Sequence, residues 1–415
     1  MCLQRQIPID FIYGFTIATF FLVGRWSLNR LGWATEEMDL WLEPRLWIVL
    51  LIALMAMLIR IRKRSFLVKP SIRSKTSIII SLFLFYMIFS SLWSIDLGSS
   101  YSSFVLHKTY EIGLLLAVIV SVTIAYPYLR ADKMSRGLWT GLLIFCLLMA
   151  AAGIMGYGGV RRLAVLGGGP NVFGRNMALM CIGCMFVMNA NRKYWFMHVV
   201  GLFALALVFL SGSRGAITAA VLGIWITFLL MRINLKKKFK ILISTLLLAV
   251  VVIQFTAMGA RIVDVFRSRV LQLTFEEKYT SGRTLLFERA IEIGKENLYF
   301  GAGLGGFASL SGDNYPHNLF LETFAEGGVV GLLLLSAAFV YFATTSLRNR
   351  KIVDPYLTGA FLVSFISSQF SGNLFDSRGV FLFMIFLSIN MAEKAYRYRT
   401  TKHYVRREVE ILPPS

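Results

Sequence analysis

Metal ligands are scarce in this sequence. Its four histidines stand far apart, at His107, His198, His317 and His403, and no Asp-x-Asp pair occurs that could hold a divalent cation on a sugar nucleotide. The four cysteines, Cys2, Cys146, Cys181 and Cys184, make no disulfide framework. Cys181 and Cys184 form a Cys-x-x-Cys, but inside an apolar stretch, where two small residues one helical turn apart pack rather than ligate. Charge is short too. Only 16% of residues are charged, against about 25% in soluble domains. No cleavable signal peptide is expected, because the first apolar run follows a short polar stretch without a small-residue cleavage site, and it reads as a retained helix. No internal repeat is evident.

What remains is apolar. Hydrophobic residues make up 57% of the 415, with a mean hydropathy of +0.66. That share needs lipid to solvate much of the surface. Apolar runs of roughly 16–20 residues recur, long enough to cross a bilayer as helices. They fall at about 11–28, 44–60, 77–94, 110–126, 138–156, 173–189, 195–211, 214–231, 239–258, 326–346, 356–372 and 379–394. The expected fold is therefore an all-α integral membrane protein of about twelve spans. It reads as one polytopic domain over 1–415.

The formal charge of +21 invites a nucleic-acid reading, but its placement argues otherwise. Lysine and arginine concentrate in alternate short segments, seven in 60–76, five in 232–240 and six in 394–415. Short loops set orientation, so the bias predicts both termini in the cytoplasm. The charge is topology signal and contact with membrane lipids, with no nucleic acid implied. On this topology residues 259–316 form a long periplasmic loop and 395–415 a basic cytoplasmic tail. Apolar residues at helical spacing predict amphipathic helices over Arg261–Leu273 and Thr284–Lys295.

The outer side carries a recurring device: a Gly/Ser/Asn-rich turn bearing an arginine beside a span. The instances are Gly-Gly-Gly-Pro-Asn-Val-Phe-Gly-Arg-Asn (167–176, with Arg175), Ser-Gly-Ser-Arg-Gly (211–215, with Arg214), Ser-Gly-Arg (281–283, with Arg283) and Ser-Gly-Asn-Leu-Phe-Asp-Ser-Arg (371–378, with Asp376 and Arg378). Arg161 and Arg162 precede the first. Arginine's planar fork suits phosphate oxygens, and Arg214 opens a span, where free backbone N–H groups favour an anion. Taken singly, each turn is a helix cap with a snorkelling arginine; converging, they would form an anion site. Tyr-Pro-His-Asn-Leu-Phe-Leu-Glu-Thr-Phe-Ala-Glu-Gly-Gly (315–328) closes the long loop. His317 is placed there to take a proton from a hydroxyl at neutral pH. Glu322 and Glu326 follow one helical turn apart and read as supporting groups. His107 also falls outside on this count, in a loop without glycine or arginine. Gly301-Ala-Gly303-Leu-Gly305-Gly306 satisfies G-x-G-x-x-G, but it has no strand before it, and it reads as flexible backbone near a ligand rather than a dinucleotide site.

These residues resemble the O-antigen ligases and related O-antigen polymerases of bacterial inner membranes. His317-Asn318, nine residues, Gly328, two residues, Gly331 fits the ligase pattern His-(Asn/Ser/Gln)-x9-Gly-x-x-(Gly/Thr/Tyr). Ser-Gly-Ser-Arg-Gly at 211–215, Ser-Gly-Arg at 281–283, Gly-x-Gly-x-x-x-Phe at 301–307 and Ser-Gly-Asn at 371–373 are similar to the family's other landmarks, in order, across about residues 165–380. The resemblance implies a glycosyltransferase without metal or cofactor, taking its glycan from undecaprenyl diphosphate at the periplasmic face. Carried over by motif, His317 is the catalytic residue, and Arg214 and Arg283 bind the diphosphate. Arg175 is added to the diphosphate ligands, with Asp376 and Arg378 as supporting groups that orient an arginine or His317. Pro316 stands before His317, so the second adjacent histidine of some ligases is absent.

The expected function is O-antigen ligase, with lipid A-core as acceptor. The alternative is an O-antigen or exopolysaccharide polymerase, whose acceptor is another lipid-linked glycan. A flippase of lipid-linked oligosaccharide is a third reading. It needs charged groups at membrane depth in both halves, whereas the outer-face signal here lies after residue 160 and mid-span charges are scarce.

Overall fold

The computed structural model describes residues 8–22, 43–62, 75–95, 102–155, 169–190, 194, 196–268 and 282–411. Arg161, Arg162, Gly167, Gly168 and Ser281 of the expected outer turns lie outside the described residues. Among those described, every regular element is helical. The helices in chain order are α1 (Ile9–Leu22), α2 (Pro44–Arg62), α3 (Lys75–Phe89), α4 (Ser102–Ala125), α5 (Ala131–Met155), α6 (Pro170–Ala190), α7 (Met197–Leu210), α8 (Arg214–Leu230), α9 (Leu235–Phe255), α10 (Ala257–Phe266), α11 (Arg283–Glu296), α12 (Gly306–Ser311), α13 (Leu319–Arg348), α14 (Pro355–Ser367) and α15 (Arg378–Ile411). Each expected span falls on one of them. Seven, on α2, α3, α4, α5, α6, α13 and α15, are long and apolar enough to cross a membrane. Shorter apolar helices are α1, α7, α8 and α14. The protein is an all-α membrane protein.

Helices in lipid gain little from burying apolar surface against each other, so they associate where small residues let backbones approach. The closest seam runs between α1 and α5. A Cβ on Gly14 would overlap the Met134 carbonyl, one on Gly137 the Phe11 carbonyl, and Gly141 faces Ala18. Helices α6 and α8 meet where Gly174 faces Ala216 and Ser211, and α8 meets α14 at Gly223 and Gly359. The Cys-x-x-Cys of α6 is part of the same packing: Cys184 lies against Gly201 of α7, and both cysteines are free and buried. Outward faces stay apolar and exposed, as at Leu54, Met57 and Ile61 of α2.

Two elements differ from the sequence reading in ways that shape the surroundings of His317. Helix α4 begins at Ser102, well before the expected start of its span near residue 110, so His107 is helical and not in a loop. Charged residues had marked that turn as solvent, yet Lys108 is 2% exposed and Glu111 fully buried. Helix α13 likewise begins at Leu319, where the Asn318 side chain accepts from the N–H groups of Phe320 (3.0 Å) and Leu321 (3.1 Å).

Helix α13 is broken at Gly328, whose φ of 61° and ψ of −160° leave the helical region. At membrane depth the freed backbone groups need partners. The 298–303 segment supplies them. Ala302 N donates to Ala325 O (2.9 Å), Gly303 N to Glu326 O (3.0 Å), Val329 N to Leu298 O (2.8 Å) and Val330 N to Tyr299 O (3.1 Å), while the Tyr86 hydroxyl donates to Gly327 O (2.7 Å). Gly301 and Gly328 lie backbone to backbone, where a Cβ on either would overlap the other strand of chain. The glycine-rich stretch is thus buried and hydrogen-bonded through its backbone. This corrects the expectation of flexible backbone near a ligand. The spacing of Gly301 and Gly328 serves a helix break.

Candidate active site

Three of the four expected outer turns are tied together by hydrogen bonds. Asn171, at the start of α6, accepts a short hydrogen bond from the Ser213 hydroxyl and donates to the Ser371 hydroxyl at 3.0 Å. Ser213 is also the N-cap of α8, accepting from Ala216 N at 3.2 Å, so Arg214 is set at the helix start, half-buried. One turn further along α6, Arg175 Nη1 donates to the Asp376 carbonyl at 3.0 Å. The 371–378 turn is closed from within by Asp376 N donating to Asn373 Oδ1 (2.9 Å) and Asn373 N donating to Asp376 Oδ2 (3.3 Å).

The segment leading into that turn holds the neighbours of His317. Leu319 N donates to Ser368 O at 3.1 Å, and Asn318 Nδ2 donates to Gln369 O at 3.4 Å. His317 itself has a positive φ of 61°, among the described residues the sole non-glycine in that region. Such a conformation costs of order 1–3 kcal/mol and persists where its surroundings over-determine it. The ring meets Tyr315 edge-on at 4.7 Å and is half-buried, and its Nδ1 has no hydrogen-bond partner. Burial pulls the imidazole below the ordinary histidine range, and the Arg283 charge pulls it further; Asp376 and Asp313 oppose them. The imidazole is therefore neutral at pH 7 and able to accept a proton. Arg283, the first residue of α11, is half-buried and brings the fourth turn into electrostatic reach of His317.

The remaining candidates are placed inside. Arg175, expected among diphosphate ligands, is 7% exposed and its fork is turned onto Asp376. Arg378 is buried too. It ion-pairs with Asp376 at 3.7 Å, donates from Nε to Phe21 O at 3.2 Å and lies over the Phe375 ring at 4.8 Å. Both act on the turn that carries Asp376. Glu322 and Glu326 face Lys108 of α4, which donates to both Glu326 oxygens at 2.7 Å and holds Glu322 Oε1 at 2.6 Å by charge. All three are at most 2% exposed. One ammonium between two carboxylates fastens α4 to the top of α13.

Sequence reasoning missed the first half's share of this region. Besides Lys108, Arg45 at the start of α2 is 1% exposed, bonded to Glu111 Oε1 (2.7 Å) and to both oxygens of Glu43 (2.8 and 2.7 Å). His107 lies 3.3 Å from Glu111. The signal was present: His107, Lys108 and Glu111 occupy one helical turn flanked by apolar residues, and ionisable groups at a span mouth are functional candidates. The expectation that nearly all the signal on this side lies after residue 160 is corrected accordingly.

Residues 199–336 match the family model for O-antigen ligase. Over that third of the chain the protein is similar to the O-antigen ligases, in agreement with the motifs at 211–215, 281–283 and 317–331. Arg214, Arg283, His317, Glu322 and Glu326 lie inside the matched segment; Arg175, Asp376, Arg378 and the α2 and α4 charges lie outside it. No curated protein matches the chain. The match supports a function of the O-antigen ligase and polymerase type in broad terms.

Proposed function

We propose that the protein is a metal-independent glycosyltransferase that moves a glycan from undecaprenyl diphosphate to an acceptor sugar hydroxyl at the periplasmic face of the inner membrane. The observation that carries this reading is the neutral, half-buried His317 imidazole, held in a positive-φ turn beside Arg283 within the matched segment. The basic segments at 60–76, 232–240 and 394–415 support both termini inside, which sets His317 and the 259–316 loop outside. No nucleotide donor is present on that side, so the sugar arrives activated on lipid.

The acceptor hydroxyl gives its proton to His317 as its oxygen bonds to the anomeric carbon. The bond from that carbon to the diphosphate oxygen breaks, and undecaprenyl diphosphate leaves with the electron pair. The forks of Arg214 and Arg283 receive the charge that develops there. Arg175 and Arg378 hold Asp376, which tempers the Arg283 charge felt by the imidazole.

The His317-Asn318…Gly328…Gly331 spacing favours ligase, with lipid A-core as acceptor. Pro316 in place of a second histidine favours a polymerase, whose acceptor is a second lipid-linked glycan. A flippase gains one argument from the structure, since buried charge comes from both halves of the chain. Those charges are closed into ion pairs, however, whereas a translocation path needs polar groups open to its cargo. The test is purified protein in vesicles holding an undecaprenyl-diphosphate glycan and either acceptor. Glycan on lipid A-core is the expected product. Elongated lipid-linked glycan reassigns the protein as polymerase, and donor movement between leaflets without any transfer overturns the reading.

A further inference from the structure

We infer that Arg45 is a positioning residue for His317, acting through Phe375 and the 368–377 segment. The inference rests on His317 being the base. It concerns residues far from the matched segment, contributed by α2 and α4.

Arg45 cannot serve as a substrate ligand, because its fork is used up. Nη1 donates to Glu111, while Nε (3.1 Å) and Nη2 donate to Glu43. Burying a guanidinium with two carboxylates is a weak source of stability, since desolvation offsets most of the attraction. What the cluster does accomplish is to fix the guanidinium plane in one place. That plane lies 5.2 Å from the centroid of Phe375, and Arg378 lies 4.8 Å from the same ring. Phe375 is 1% exposed, and its ring is within cation–π reach of both guanidiniums, which limits its freedom to move.

The next residue is Asp376, whose carbonyl is held by Arg175 and whose charge acts on His317. The other end of the segment holds the residues flanking His317, through Ser368 O and Gln369 O. Moving Phe375 therefore moves both the charge that tunes the imidazole and the backbone that sets its φ. Contacts lead from Glu43 and Glu111, through Arg45, to Phe375 in the segment whose Ser368 and Gln369 carbonyls hold Leu319 and Asn318 beside His317.

The sign of the effect follows from the groups that face His317. These are Arg283 from α11, Asp376 from the 371–378 turn, and Asp313 and the Tyr315 ring from its own loop. Loosening Asp376 weakens one of two anionic influences and leaves Arg283 in place. The imidazole then binds its proton less readily, and the acid limb of the rate profile moves to lower pH. His107, 3.3 Å from Glu111, is the titratable neighbour at the far end of the cluster.

Arg45→Met alone leaves two buried carboxylates and is prone to misfold. The combination Glu43→Gln, Arg45→Met and Glu111→Gln removes the cluster without stranding a charge, and Phe375→Leu alters no charge at all. Each is purified and assayed for transfer across pH, with His317→Ala alongside. For Phe375→Leu and the triple variant, kcat is expected to fall about 10-fold or more. KM for the lipid donor should stay within roughly two-fold, because the donor's arginines are untouched. The acid limb should lie at lower pH than in the parent. A parental kcat and acid limb in Phe375→Leu overturn the positioning role, whatever the triple variant does. Normal transfer by His317→Ala overturns instead the reading on which the inference rests.

Discussion

The fully buried charges and the half-buried ones near His317 are built from the same residue types and treated in opposite ways. Lys108 with Glu322 and Glu326, and Arg45 with Glu43 and Glu111, are at most 5% exposed and closed onto one another. Arg214, Arg283 and His317 are half-buried, and one ring nitrogen of His317 has no partner. Groups closed into pairs fix geometry, whereas a half-buried imidazole pulled below its ordinary range by burial and by Arg283 suits proton transfer. The eight residues singled out on chemical grounds divide in the same way: Arg214, Arg283 and His317 are half-buried, whereas Glu322, Glu326, Arg175 and Arg378 are buried, the two arginines holding Asp376.

The comparison breaks hardest at Lys108. Lys108→Met strands two carboxylates at membrane depth, an expected loss of about 3–5 kcal/mol. Folded protein in detergent, followed by size-exclusion yield and thermal unfolding, should drop sharply, whereas activity per folded molecule changes less. Lys108→Met with Glu322→Gln and Glu326→Gln should recover most of the yield. Failure of that rescue would mean the triad is more than a clamp.

Next in size is the fork chemistry. Arg214→Lys and Arg283→Lys keep a charge but lose the planar donor pair, so transfer should fall about 10-fold or more while folding is unchanged. Parental activity in both would place the diphosphate elsewhere.

The smallest effect is a shift of the pH profile. Because the imidazole is held below the ordinary histidine range, transfer should stay level from pH 7 downward and fall only below that range. Asp313→Asn removes an influence that raises the imidazole, so its acid limb should move further down, by less than about one unit since Asp313 is exposed. An upward shift would contradict the assigned surroundings of His317.

Much of this architecture was legible in the sequence, because a span needs a long apolar run and, among the described residues, each expected run falls on a helix. The grouping of the turns was legible as well, because four Gly/Ser/Asn-rich turns with an arginine recur beside spans, and three of them are joined by hydrogen bonds. What stayed hidden were partnerships across long separations. Nothing local to Lys108 announces Glu326, and a charged turn at the head of α4 reads as loop until its partners are known. The glycine-rich stretch misled for the same reason. Its glycines permit not motion but the close approach of the 298–303 backbone to the break at Gly328, and that pairing is invisible from either segment alone. Arg175 resembled the other turn arginines in context, yet a carbonyl two hundred residues away turned it inward.

The central claim is that the half-buried set, and His317 within it, performs the transfer. The direct measurement is single-turnover glycan transfer by purified His317→Ala against the parent, with undecaprenyl-diphosphate glycan and acceptor in vesicles. The substitution touches no buried pair, so yield and thermal unfolding should match the parent, while the transfer rate falls by about 10²–10⁴-fold. A rate near the parent's, with the protein intact, would make His317 a structural turn residue and place the base elsewhere.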